Sequence, residues 1–97
     1  MRLKHIKNAD IIISNSKYVV NNPLDYKGKW NELFSNENNI EIEIGTGKGK
    51  FIISKALMNP DVNYIGIEKY DTPLVSAVKK LEDMEIPNLR SVWSCSI

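Results

Sequence analysis

The sequence predicts an α/β protein, the opening half of a doubly wound sheet that stops after about its third strand, and three observations carry that expectation. The β-branched run Ile40-Glu41-Ile42-Glu43-Ile44 leads straight into alternate glycines, Gly45, Gly47 and Gly49, and then into a helix-compatible stretch. A second short apolar run, Asn63 to Glu68, ends in a carboxylate 23 residues after Gly45. Stretches with apolar residues at helical spacing follow each run, so the order reads β, α, β, α.

The elements follow in chain order. Through the first 20 residues, Ile11 to Ile13 and Tyr18 to Val20 are apolar islands among polar residues, compatible with short strands, a helix or an arm docked on another surface. Pro23 to Phe34 reads as one helix entered by a proline, with Tyr26, Trp30, Leu33 and Phe34 at helical spacing and Trp30 in the core. Ser35 to Asn39 is a polar loop. The first strand alternates, Ile40, Ile42 and Ile44 on one face and Glu41 and Glu43 on the other, which is less apolar than a fully covered parallel strand. Glu43, at the carboxyl end where ligands of α/β sheets collect, has a functional reading; Glu41 leaves an amphipathic antiparallel strand open.

A helix from about Lys50 to Met58 carries Phe51, Ile52, Ile53, Ala56 and Leu57 and stops at Asn59-Pro60. A second helix starts near Asp71 as cap, with Pro73 in its first turn and a Leu74, Val78, Leu81 stripe. A third strand is expected after Pro87-Asn88.

The glycine turn is where chemistry is expected. Glycine at alternate positions permits φ > 0 and removes the Cβ atoms that would hold a ligand off the backbone, and the following helix points unpaired N–H groups at the same place. A carboxylate at the end of the next strand, Glu68, lies beside that turn in a doubly wound sheet and can accept hydrogen bonds from both hydroxyls of a ribose. Two nucleotide templates miss. The nicotinamide fingerprint needs G-x-G-x-x-G where this chain has G-x-G-x-G, and a P-loop needs four residues between its glycines and a Ser or Thr after the lysine, whereas Phe51 follows Lys50. The pattern acid-x-Gly-x-Gly-x-Gly, beginning at Glu43, resembles instead the S-adenosylmethionine loop of class I methyltransferases, whose domain is Rossmann-like.

Four blocks in order narrow the resemblance. Tyr26-Lys27-Gly28-Lys29-Trp30-Asn31-Glu32-Leu33-Phe34, Glu43-Ile44-Gly45-Thr46-Gly47-Lys48-Gly49, Asn59-Pro60-Asp61 and Asn63-Tyr64-Ile65-Gly66-Ile67-Glu68 together resemble the bacterial tRNA (guanine-N7-)-methyltransferase family over roughly residues 1 to 90. The resemblance implies methylation of a guanosine in the tRNA variable loop with S-adenosylmethionine as cofactor and tRNA as partner. It makes Glu43, Gly45, Gly47, Gly49 and Glu68 cofactor-binding positions and assigns no catalytic residue. A different class I methyltransferase fits less well, because the Lys-Gly-Lys-Trp block is not a general cofactor feature.

Length and composition bound this reading. Ninety-seven residues make one domain at most, divided here into a basic N-terminal arm, 1–22, and a partial cofactor-binding domain, 23–97. Six or seven βα units of about 30 residues each need about twice as much chain. Hydrophobic content of 42% with 26% charged residues is ordinary for a globular protein, and no apolar run approaches the ~18 residues of a membrane span. Basic residues near the N-terminus have no apolar stretch behind them, which argues against a secretory signal and for the cytoplasm. The single cysteine, Cys95, makes no internal disulfide, and His5 has no second His or Cys nearby to suggest a metal site. Charge is uneven: residues 1 to 30 carry net +4 and the rest net −3, so the N-terminal part is a candidate for phosphate contact or a solvated tail.

After Asn88-Leu89-Arg90 the chain departs from the family, which continues with a strand ending in an acid near position 95 that recognises adenine. Here Ser91-Val92-Trp93-Ser94-Cys95-Ser96-Ile97 stands instead, and the acid is absent. That change is the one expected of a frameshifted or prematurely ended reading frame, and a boundary cut into a longer chain would look similar. The family's tRNA-facing Asp-Pro-Trp-Pro motif is also absent. The expectation is therefore weak or no cofactor binding by the chain alone, no methyl transfer, and self-association through an open sheet edge, since strand one is central in the order 3-2-1-4-5. The alternative is a non-enzymatic remnant or a small nucleotide-binding module acting with a partner chain.

Overall fold

Alternating isoleucines and glutamates build a strand, and in the computed structural model, which describes residues 8–94, that strand is β1 (Ile40–Ile44). It pairs in parallel with β2 (Asn63–Glu68), which pairs in parallel with β3 (Leu89–Trp93), giving the order β1-β2-β3. The register sets Ile42 beside Ile65 and Ile44 beside Ile67, and sets Ile67 beside Val92. Because side chains alternate across a strand, Ile40, Ile42, Ile44, Ile65, Ile67 and Val92 share one face, while Glu41, Glu43, Tyr64, Gly66, Glu68 and Leu89 share the other. The antiparallel option left open by Glu41 is thereby closed. Glu41 instead reaches Lys55 on the helix above it, Oε1 to Nζ 3.8 Å.

The helices that return the chain between parallel strands cover the Tyr64 face. Helix α3 (Lys50–Met58) supplies Ile52, Ile53 and Ala56, which pack with Tyr64, Leu81, Ile86 and Leu89. Helix α4 (Asp71–Asp83) buries the expected Leu74, Val78 and Leu81 stripe, together with Val75 and Ala77. Asp71 lies inside the first turn rather than at its cap, which is Tyr70; its Oδ1 accepts the N–H of Thr72 at 2.8 Å. Asn88 stitches the layers. Its Nδ2 donates to the carbonyls of Ala56, Asn59 and Val62 at 2.9, 3.1 and 2.9 Å, satisfying the end of α3 and the loop after it.

The N-terminal part is more ordered than its apolar islands imply. Arg2, Lys4, His5 and Lys7 lie outside the described residues, but Ala9–Asn15 forms helix α1, which packs Ala9 and Ile13 on Leu74, Val75 and Val78 of α4. Tyr18 to Val20 then line the outer edge of β3: Ser91 N–H donates to the Tyr18 carbonyl at 2.7 Å and Val20 N–H donates to the Ser91 carbonyl at 2.8 Å. Residues 9 to 20 are thus a packed part of the domain, with Ile13, Tyr18, Val19 and Val20 all buried.

The continuous helix expected over Pro23 to Phe34 is corrected. Pro23–Tyr26 is a 3-10 turn, Gly28 takes φ 78°, and α-helix α2 spans only Asn31–Phe34. A residue in the left-handed region cannot continue a right-handed helix, so the glycine divides the segment. The spacing of the aromatics still works: Tyr26, Trp30, Leu33 and Phe34 lie on the isoleucine face against Val20, Ile65 and Val92, which places Trp30 against the core as expected. That cover is incomplete. Ile42 and Ile44 are 59% and 81% exposed, and among the described residues β1 pairs only with β2.

The expected third strand forms despite its altered sequence. Ser91 and Val92 are buried in it, and Trp93 donates from Nε1 to the Lys69 carbonyl at 3.0 Å. Cys95 lies outside the described residues.

Candidate functional site

Parallel pairing brings the carboxyl ends of β1 and β2 side by side, and the chain leaving β1 bends over β2 at once. Gly45 N–H donates to the Ile67 carbonyl at 2.7 Å, extending the ladder by one bond before the turn. Gly45, Gly47 and Gly49 have φ of 76°, 58° and 81°. Gly49 shows why a side chain is excluded: it caps α3, and a Cβ there would lie 3.0 Å from the Ala77 Cβ of α4. At Gly45 and Gly47 the reason is different. Among the described residues, no atom beyond the adjoining ones lies within 4 Å of where a Cβ would stand, so the backbone of the turn faces open space.

Glu68 ties the turn to β2. Its carboxylate, on a residue only 4% exposed, accepts the Gly47 N–H at Oε1 (2.6 Å) and the Tyr70 N–H at Oε2 (2.9 Å). Bonds of this length to a charged acceptor are about twice as strong as neutral ones. Each oxygen retains a second acceptor direction. Glu43 stands beside Gly66 in the register, two residues before Glu68, so both carboxylates lie on the helix-bearing face. The Glu43 Oε2 is buried and has no hydrogen-bond partner among the described residues. A buried acceptor without a donor is uncommon in folded proteins and marks a place where a donor from outside the chain would be welcome.

The five sequence-predicted positions, Glu43, Gly45, Gly47, Gly49 and Glu68, thus gather around one turn at the carboxyl end of the sheet. Helix α3 starts there with unpaired N–H groups, and Lys80 on α4 donates from Nζ to the Lys48 carbonyl at 3.2 Å, holding the far side. Two neighbours escaped the sequence reading. Gly66 lies under the turn, where a Cβ would come within 2.8 Å of the Thr46 Cγ2, and the Tyr70 backbone N–H is the second donor to Glu68. A glycine inside a strand is itself a signal of close approach; the Tyr70 contact has no signal in residue type.

Other features lie apart from this turn. An apolar cavity of about 180 Å³ on the isoleucine face is lined by Pro23, Leu24, Trp30, Ile42, Ile65 and Ile67, among others. Among the described residues no group of three or more His, Cys, Asp or Glu is placed to hold a metal ion, and no helix is long and apolar enough to cross a membrane.

Comparison with known proteins adds the family. Residues 37–94 match the sequence profile of a family described as "Putative methyltransferase". A Bacillus subtilis (strain 168) protein named tRNA (guanine-N(7)-)-methyltransferase is 50% identical over 91 residues, covering 93% of this chain and 43% of the relative. Proteins of the same name from Geobacillus sp. (strain WCH70) and Lachnoclostridium phytofermentans are 61% and 52% identical over 74 and 89 residues, covering 76% and 92% of this chain. The chain spans 34% and 42% of the length of those two relatives.

Proposed function

The chain belongs to that methyltransferase family, and from this premise we propose that its glycine turn seats S-adenosylmethionine as the opening part of a tRNA (guanine-N7-)-methyltransferase. The single observation that supports the reading most is the 2.6 Å bond from Gly47 N–H to Glu68, which joins the turn and the sugar-gripping acid into one shelf. The residues fit the cofactor: the open backbone at Gly45 and Gly47 leaves room for it, and the unpartnered Glu43 Oε2 offers an acceptor.

Glu68 would hold the ribose through its remaining acceptor directions, with Glu43 and the N–H groups at the start of α3 around the rest of the nucleoside. When bound, S-adenosylmethionine supplies an electrophilic methyl group on a sulfonium sulfur. Guanine N7 carries an exposed lone pair on the base edge, so no residue of this chain need act as a base. What these residues contribute is placement, which turns an encounter of two molecules into a nearly unimolecular event. The acceptor, tRNA, comes to this reading from the names of the relatives, and the cytoplasm from the setting of tRNA modification.

The test is a titration of the ¹⁵N-labelled chain with S-adenosylhomocysteine. Weak binding or none is expected of the chain alone, with any amide shifts concentrated in 43–50 and 68–70; binding that shifts other residues and leaves those unmoved removes the reading. The chain alone is expected to transfer no tritium from labelled S-adenosylmethionine to unmodified tRNA, because its sequence holds no Asp-Pro-Trp-Pro motif, the segment the resemblance gives to the tRNA.

A second reading, a nucleotide-binding module completed by a partner chain, is favoured by the open β1 edge and the exposed Ile42 and Ile44. Mixing this chain with the remaining part of the Bacillus subtilis relative separates the two. Methylation restored by mixing supports an enzyme completed in two pieces, and its absence alongside cofactor shifts in 43–50 and 68–70 supports a module that works with a different partner chain.

A further inference from the structure

Three successive residues of β2 each hold a different part of the glycine turn. Gly66 leaves the space filled by the Thr46 methyl, Ile67 gives its carbonyl to the Gly45 N–H at 2.7 Å, and Glu68 gives Oε1 to the Gly47 N–H at 2.6 Å. We propose that Gly66 is a positioning residue for the cofactor turn: the hollow left by its missing side chain seats Thr46 and so presets the turn before any ligand arrives. The inference rests on the cofactor reading for its consequence in binding, but the seat itself is a property of the chain alone.

The physical argument is one of volume. A Cβ on Gly66 would approach the Thr46 Cγ2 to 2.8 Å, closer than real carbon contacts, and the Ile52 Cδ1 to 3.1 Å. The isoleucine tip is the far end of a flexible side chain and can swing aside. Thr46 cannot yield so easily, since a β-branched side chain has few χ1 options and its backbone is held on both sides, by Ile67 before and by the Gly49 N–H on its carbonyl after, 3.0 Å. Relief therefore comes by lifting the turn, which stretches the Gly47 bond to Glu68. A turn that must be reordered by its ligand binds more weakly than one already in place.

The same geometry predicts a compensating pair. Gly66→Ala adds a methyl to an occupied hollow, and Thr46→Ser empties it. Together they move one methyl from one side of the contact to the other, a volume-conserving exchange of the kind packed interiors tolerate. The two changes should therefore fail to add.

The experiment uses the full 97-residue chain, ¹⁵N-labelled, with hydrogen exchange at the Gly47 amide as a readout that needs no ligand, and S-adenosylhomocysteine titration as the second. Gly66→Ala is expected to lower Gly47 protection and weaken binding about tenfold. Thr46→Ser alone should lower protection less, and the double variant should recover most of it. Equal Gly47 protection in Gly66→Ala and the parent chain overturns the proposal, as does a double variant no better than Gly66→Ala. If Gly66→Ala fails to fold, the double variant decides: a folded double with protected Gly47 supports the seat, and an unfolded one refutes it. A parent chain that shows Gly47 protection but ligand shifts only outside 43–50 and 68–70 would defeat the cofactor reading while leaving the seat standing.

Discussion

Replacing Glu68 with alanine removes a charged acceptor from two backbone N–H groups at once, those of Gly47 and Tyr70. A hydrogen bond to a charged group contributes about 1.5–3 kcal/mol net, but both bonds are only partly buried, so water replaces part of what is lost and the loss falls at the low end. Removing a buried side-chain stem adds about 0.8 kcal/mol per methylene, offset by no longer desolvating a carboxylate. The expected total is about 2–3 kcal/mol, a large share of the ~5–15 kcal/mol that holds a small domain. With a urea slope of about 1–3 kcal/mol/M, the unfolding midpoint should fall by about 0.7–3 M. Glu68→Gln keeps one acceptor oxygen and should lose roughly half as much. Tryptophan fluorescence reads the transition well, because Trp93 is bonded to Lys69 next to the substituted residue. An alanine variant as stable as the parent chain would refute the claim that this carboxylate holds the turn.

Asn88→Ala strips a donor from the carbonyls of Ala56, Asn59 and Val62 and should cost about 2–3 kcal/mol, seen as a lower melting temperature by circular dichroism; Asn88→Asp, the same shape without the donor, should be no better. Ile44→Lys places a charge on the open edge of β1 and should shift self-associated chain toward monomer in sedimentation velocity. A parent chain that sediments as a monomer throughout would remove the reason for that shift.

Local signals located most of the sheet. Residues 63–68 and 50–58 were bounded correctly because a glycine turn, an apolar run and the Asn59-Pro60 stop punctuate them. The five positions come together around the turn for the same reason: residue type and short spacing mark where the chain bends. What escaped depends on distant partners. Nothing in Tyr18 to Val20 announces that it will pair with Ser91, and Glu41 looks out of place until Lys55 is folded over it. Gly28 sits inside the stretch whose apolar spacing suits a helix, and its left-handed backbone breaks that helix whatever the spacing around it. Thr46 and Gly66 became meaningful only as a pair, since a steric fit between a loop and a strand has no period in the sequence.

The two borders of the sheet are unequal. One flank is already occupied by the chain's own Tyr18 to Val20, and the other ends at β1 with nothing beside it among the described residues. Two copies meeting edge to edge at β1 would offer each other the same surface, and such a contact is related by a two-fold axis.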